Sequence, residues 1–576
     1  MGSGKARPPL LSLALSLPLS LALLVGCAAT SASSADPNAG SGTGGEGGGG
    51  GGITGGFAGA GAGTGGVAPP PETELDNTYQ VPVATGRFVW IANPTSGRVA
   101  YVDAQSLAVT TVEAGDAPTT IAAVPDARGG DQVIVLNVLS HDATVLRAGG
   151  ATLESRTIPG VTADANRLVV SPGGRFAIAW TDGRALTNVR ATQGFQSLTV
   201  IDLAATGATP THTTLAVGFR PVSVSFSSDE RRAFAVTEDG VSILTLDGAG
   251  GPLVGANVAL GDDPTASADT RDVSITADGR FAVVRREGSD AVSIVDLGSG
   301  ALAALRLGGA VTDVDVTGDG RRVVAVAREI SEVAVIPLGG ALPAAADVVH
   351  LTITGETIGQ AVLTADGATA VLYSNAVASE RVTVLALGPA TPTWRTLRVH
   401  APVLSVALTP DGRSAVVLHA VTADAPAGGA GTSDGGAHDA AATDGGTGGG
   451  PAGTPAAGAF SLLPLDGTHP ALIQTTDAPI QALALAPAGD RVLVTVRDDR
   501  QATFGVYLGL FPTLEVRRYP LASPPIAAGI AVAAGRGYVA QQHAEGRITF
   551  ITLDSGEART LTGYELGARV VDWSKP

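Results

Sequence analysis

The feature that most constrains this chain is a tight turn that recurs between short β runs. Val403-Leu404-Ser405-Val406-Ala407-Leu408-Thr409-Pro410-Asp411-Gly412-Arg413-Ser414-Ala415-Val416-Val417 shows it most clearly, and Val273–Val283 and Val314–Val324 repeat it. An Asp-Gly pair suits a hairpin because both residues tolerate positive φ. Equivalent turns fall near residues 126, 173, 229, 278, 319, 366, 411, 488 and 534, mostly 41 to 56 residues apart. The single spacing of 77 shrinks to 39 once the Ala/Gly/Asp tract 422–459 is set aside as an insertion. Short runs such as Arg87–Ala92, Ala291–Asp296 and Arg381–Leu385 alternate with period two and are bounded by turn residues, and no amphipathic helix stands out. Four strands per unit and a period in the forties predict an all-β propeller of four-stranded antiparallel blades.

Two further patterns refine this expectation. Third strands read like Ser197-Leu198-Thr199-Val200-Ile201-Asp202-Leu203 and Val292–Leu297. Together with the turn and the Ala-Val-Val strand after it, they resemble the YVTN-type bacterial propellers, which include lactonase-like and surface-layer members. The resemblance covers residues 86–573 and implies the fold more strongly than any activity. The repeat begins at Arg87–Ala92, Arg98–Asp103 and Ala108–Glu113, which read as second, third and fourth strands, and ends on Ala568–Trp573, which reads as an orphan first strand. Pairing the two ends would close one ring of about ten repeats and remove a free sheet edge; two smaller propellers are the alternative.

Upstream of the repeat, Lys5 and Arg7 precede an apolar stretch from Leu10 to Val25, the layout of an export signal rather than of a membrane span. It ends in Leu24-Val25-Gly26-Cys27, which resembles the lipobox of bacterial lipoproteins. The resemblance implies a signal peptide at 1–26, lipidation of Cys27 and, with Ala28 next, an outer-membrane destination. Cell-envelope attachment, on the periplasmic face or the surface, would then come from acyl chains. Cys27 is the only cysteine in 576 residues, so the remainder of the chain holds neither a disulfide nor a thiol site. Residues 40–66 hold 17 glycines in 27 positions and Pro69-Pro70-Pro71 closes the run, so 27–85 reads as a disordered tether. Such a coil would span about 40 Å.

The net charge is −17, and cleavage before Cys27 would remove two basic residues and leave −19. That balance speaks against nucleic acid or anionic lipid as a partner, since both need clustered cations. There is no Gly-x-Ser-x-Gly elbow, His-Glu-x-x-His pair or phosphate loop in a strand-to-helix setting. No catalytic or metal residue and no cofactor is therefore assigned. Departures from the repeat concentrate where second-to-third-strand loops and blade-to-blade connections should emerge together, at 183–196 and in 422–459, the latter expected to be disordered. Candidate contact residues on that face are His141, Asn188, Arg190, Phe195, Asp262, Asp263, His400 and His543. The expected role is a binding or scaffold module for a protein, peptide or glycan; a hydrolase or lactonase-like enzyme and a laterally assembling surface protein are the alternatives.

Overall fold

A computed structural model describes residues 82–563 except 95, 126–129, 150–151, 205–209, 262–270, 390, 421–456 and 544–545. Within it the chain forms ten four-stranded antiparallel sheets, each built of four consecutive strands in sequence order. We number them blades 1 to 10, spanning 83–113, 118–159, 167–216, 221–258, 271–306, 313–352, 360–398, 403–476, 480–520 and 525–562. The turns anticipated near 173, 229, 278, 319, 366, 411, 488 and 534 all join first to second strands. Helical structure among the described residues is limited to single short 3-10 turns such as Gly183–Ala185 and Val532–Ala534.

One ring, not two, follows from the packing. Blade 1 packs on blade 2 through Trp90, Val99, Val133 and Val135, blade 5 on blade 6 through Val283, Ile294, Val323 and Ala325, and blade 6 on blade 7 through Val324, Val326, Ala370 and Leu372. The other neighbouring pairs have cores of the same kind. A tenth core joins blade 10 to blade 1 through Val89, Ile91, Tyr538 and Phe550. An open row of ten sheets would have only nine. At the closure Tyr538 Oη donates to the Pro82 carbonyl at 2.8 Å, and the Ala533 N–H donates to Gly86 O at 2.9 Å. Complete burial pushes the Tyr538 phenol well above its ordinary range.

Two sequence expectations change here. The second strands do not alternate between buried and exposed residues: Phe176–Trp180 and Ser414–His419 are buried throughout. Successive residues face opposite neighbouring blades, as Val323 and Val324 do, so both faces must be apolar. The inner place of blade 1 beside Val89 and Trp90 is taken by Val83–Ala84, reached through a turn in which the Thr85 N–H bonds Phe88 O at 2.9 Å. Residues 568–573, expected to supply that strand, lie outside the described residues.

The turn itself works differently from the Asp-Gly reading. Gly279, Gly320, Gly367 and Gly412 have φ of 65 to 68°, but the aspartates before them do not share the left-handed region. Each aspartate acts through its side chain instead. Thr276 Oγ1 donates to Asp278 Oδ1 at 2.6 Å and accepts from the Phe281 N–H at 3.0 Å, while Asp278 accepts from the Arg280 N–H at 3.0 Å. The Thr317–Asp319, Thr364–Asp366 and Thr409–Asp411 pairs repeat the contact at 2.6 Å, as does Ser227–Asp229. In blade 7 the Thr364 hydroxyl and the Ala368 N–H hold the Asp366 carboxyl below its usual range.

Candidate binding face

Second-to-third-strand loops and blade-to-blade connections share one rim, here the upper one; the Thr/Ser-x-Asp turns lie on the lower rim. The 183–196 loop joins the second and third strands of blade 3, Phe176–Trp180 and Ser197–Asp202, as the repeat pattern required. The second expected insertion leaves blade 8 after His419; residues 421–456 lie outside the described residues, and the third strand begins at Gly458.

The blade 3 loop is tied down by groups outside it. Asp182, only 2% exposed, caps the 3-10 turn by accepting from the Arg184 N–H at 3.0 Å and Nε at 3.1 Å. Arg167 Nη2 approaches the same carboxylate at 3.5 Å, and Asn166 brackets the Asp182 backbone with both ends of its amide. From the connection to blade 4, Arg220 reaches back: Nε donates to Gln193 O at 3.0 Å and Nη2 to Arg190 O at 2.9 Å and Ala191 O at 3.3 Å. A guanidinium suits this task because its donors are fixed in one plane. The Arg220 N–H bonds Gly194 O at 2.7 Å, and its φ of 48° aims the chain at the loop.

Phe195 folds inward. Its ring lies 3.0 Å from where a Cβ on Gly183 would sit, so glycine is the residue that leaves the ring in place. Asn188 has φ of 62° and is exposed, as is Arg190, whose amide donates to Gln193 Oε1 at 2.7 Å. Between the loop and blade 4 lies a recess of about 170 Å³ lined by Asp182, Arg184, Val189, Arg220, Val222 and Glu238 among others. Asn188, Arg190 and Phe195 thus belong to one ordered element.

The three candidate histidines do not converge. His141 is an exposed corner of blade 2 with φ of 52° whose carbonyl accepts the Val161 N–H at 2.9 Å. His400 is exposed, with φ of 61°, in the connection between blades 7 and 8, and His543 is half-buried in blade 10. Among the described residues no three metal-ligating side chains gather. Asp262 and Asp263 lie outside the described residues.

A different histidine, His419, carries no mark in the repeat pattern. It is 4% exposed and ends the second strand of blade 8; Nδ1 faces Pro402 O at 3.2 Å and Nε2 faces Ser461 Oγ at 2.7 Å. Burial lowers its pKa to about 4. Blades 2 and 10 have the same arrangement with amides, Asn137 on Thr144 at 3.0 Å and Gln541 on Thr549 at 2.7 Å. The legible signal was a Ser or Thr recurring inside the third strands, at Thr144, Thr199, Ser242, Thr383, Ser461 and Thr549, all buried.

No protein-family model matches the chain, and no curated protein matches it. Among solved structures, Kuenenia stuttgartiensis hydrazine synthase is 15% identical, aligning 59% of this chain with 95% of its own at a TM-score of 0.32. Dihydro-heme d1 dehydrogenase NirN is 13% identical over 78% of this chain and 75% of its own, at 0.38. The β-propeller domain of Myceliophteria thermophila Cps50 (Swd1) is 11% identical over 52% of this chain and 93% of its own, at 0.31. Likenesses this low carry no argument about activity, and the propeller rests on the ten sheets and their ten interfaces.

Proposed function

We propose that this chain is a lipid-anchored cell-envelope propeller of the YVTN type, held through Cys27, whose upper rim binds a protein, peptide or glycan partner. The observation that carries the binding role is the 183–196 loop. Two buried or bridging polar groups from outside the loop, Asp182 and Arg220, hold its backbone while the Asn188 and Arg190 side chains stay exposed. A loop ordered before binding loses little conformational entropy when a partner arrives. The address rests on the Leu24-Val25-Gly26-Cys27 run and its flanks, which lie outside the described residues.

Capture from detergent-solubilised envelope tests the role. The full-length chain retains a stoichiometric partner, and the same chain lacking 183–196 does not. Retention by both, or by neither, overturns the role assigned to this loop. A second copy of the chain as the captured species would move the reading to lateral assembly, for which Leu253, Leu302, Val349, Trp394 and Ile473 provide exposed apolar positions on the outermost strands of five consecutive blades. Labelling with radioactive palmitate tests the anchor: label enters the wild-type chain and is lost in Cys27→Ala.

A further inference from the structure

We propose that the recess between blades 3 and 4 binds a carboxylate, presented by a peptide, with Arg184 and Arg220 as its recognition groups. The inference rests on the upper-rim binding role and names the chemistry of that ligand. Its first support is local charge. Arg167, Arg184, Arg220 and Arg271 meet at this place: two on Asp182, one on Glu238 and one on the Thr237 and Glu238 carbonyls. Against these four stand three acids among the described residues, Asp182, Glu238 and Asp239. A cationic spot on a chain of net charge −17 runs against the average surface and favours an anionic ligand there.

The second support is an excess of donors. Asp182 is engaged by Arg184, Arg167 and the loop backbone, and Asp239 Oδ1 accepts from the Phe219 N–H at 2.9 Å and the Thr237 hydroxyl at 2.7 Å. Arg184 spends Nε and Nη2 on Asp182 and on Val222 O at 3.3 Å, leaving Nη1 with no acceptor among the described residues. Among the described residues Arg220 Nη1 faces only Glu238, at 3.5 Å. A ligand that brings acceptors would take up these N–H groups.

Size and shape point the same way. A space of about 170 Å³ equals the volume of roughly half a dozen waters. It takes a carboxylate and the carbons beside it, not a folded domain. Two planar guanidiniums matched to a planar two-oxygen acceptor give paired, charge-assisted hydrogen bonds. Val189 and Val222 on the wall would pack against the carbons behind the acid group.

Calorimetric titration of the full-length chain in detergent tests this with three probes: N-acetyl-trialanine, its C-terminal amide, and N-acetyl-Ala-Glu-Ala-amide. The free acid binds at least about tenfold more tightly than the amide, and Arg184→Gln removes that preference without shifting the thermal midpoint. Binding of the glutamyl peptide would assign an internal acidic side chain, and its failure beside the free acid a chain terminus. Equal binding of acid and amide, no binding of either acid, or tighter binding of inorganic phosphate overturns the proposal. If Arg184→Gln melts early, the acid-against-amide comparison on the wild-type chain still decides. A partner captured by the wild-type chain, lost on deleting 183–196 and indifferent to Arg184→Gln, would leave the binding role standing and remove only the carboxylate.

Discussion

Along the lower rim, five consecutive blades turn with one pattern, a Ser or Thr hydroxyl on an aspartate two residues later, from Ser227–Asp229 to Thr409–Asp411. Along the upper rim the second-to-third-strand connection ranges from two residues, Glu238 and Asp239, to the 38 between His419 and Gly458. The same forty-odd residues are thus constrained at one end and free at the other. The lower turns satisfy their hydroxyl and aspartate within the turn, and add backbone contacts to the next turn such as the Ser228 N–H on Ala277 O at 2.7 Å. Upper-rim loops are held by groups brought from other blades, as Arg220 of the blade 4 connection holds blade 3. Repetition marks what every blade needs in order to fold; departure from it marks where something else can be recognised.

Changes on the two rims should therefore fail in different ways. The largest effect belongs to the lower rim at Gly174→Ala: φ there is +76° and the new Cβ would lie 1.9 Å from the Pro125 carbonyl oxygen. Strain and a backbone clash together cost about 3 kcal/mol or more. Urea unfolding shows a lower midpoint; a midpoint within error of wild type would break the claim that these turns are tightly specified.

Next comes pH, acting through the upper rim. Buried His419 has its pKa lowered to about 4, against about 6.5 when unfolded. Above pH 6.5 both states are neutral there and its contribution to stability is complete. As pH falls from 6.5 towards 4 the unfolded chain takes up the proton first, and about 3 kcal/mol is lost across that window. His419→Gln, which copies Gln541 in the equivalent place of blade 10, removes this part of the slope. An identical pH profile in the variant would mean that His419 is not buried as a neutral group.

The smallest global effect is Arg220→Ala. It removes three hydrogen bonds to the blade 3 loop at a local cost of about 1–3 kcal/mol. Amide hydrogen exchange at residues 188–196 quickens while the unfolding midpoint barely moves. If the midpoint falls as far as in Gly174→Ala, the two rims are not distinct.

Much of the architecture was legible because a propeller blade writes its period into the chain. Turns with a residue, most often glycine, in the left-handed region and strands of mostly four to eight residues are local features, and all eight described turns lie where the repeat placed them. The reading of Asp-Gly as a pair of positive-φ residues missed the hydroxyl two positions upstream, which is silent until the hydrogen bond is seen. Strand alternation was misjudged for a related reason: Val323 and Val324 look alike in sequence, and only the presence of a blade on either side makes both of them core.

The candidate site was legible in part. Asn188, Arg190 and Phe195 announced themselves as a departure from the repeat. Asp182, Arg220 and Glu238 did not, because each sits in an ordinary position of its own blade and matters only through a neighbour. His141, His400 and His543 share the upper rim by topology yet belong to separate blades, and a shared rim does not bring side chains within reach.

The sequence by itself determined the blade, its four strands, its lower turn and the rim on which insertions fall, since all of these are set within about fifty residues of chain. Whether ten blades close once or form two rings was decided only by the tertiary structure, in the packing of Val89 and Ile91 against Tyr538 and Phe550 more than four hundred residues away. The recess of Arg184 and Arg220 was decided in the same way. Contacts between blades depend on which side chains the ring brings together, and a repeat read one unit at a time cannot express them.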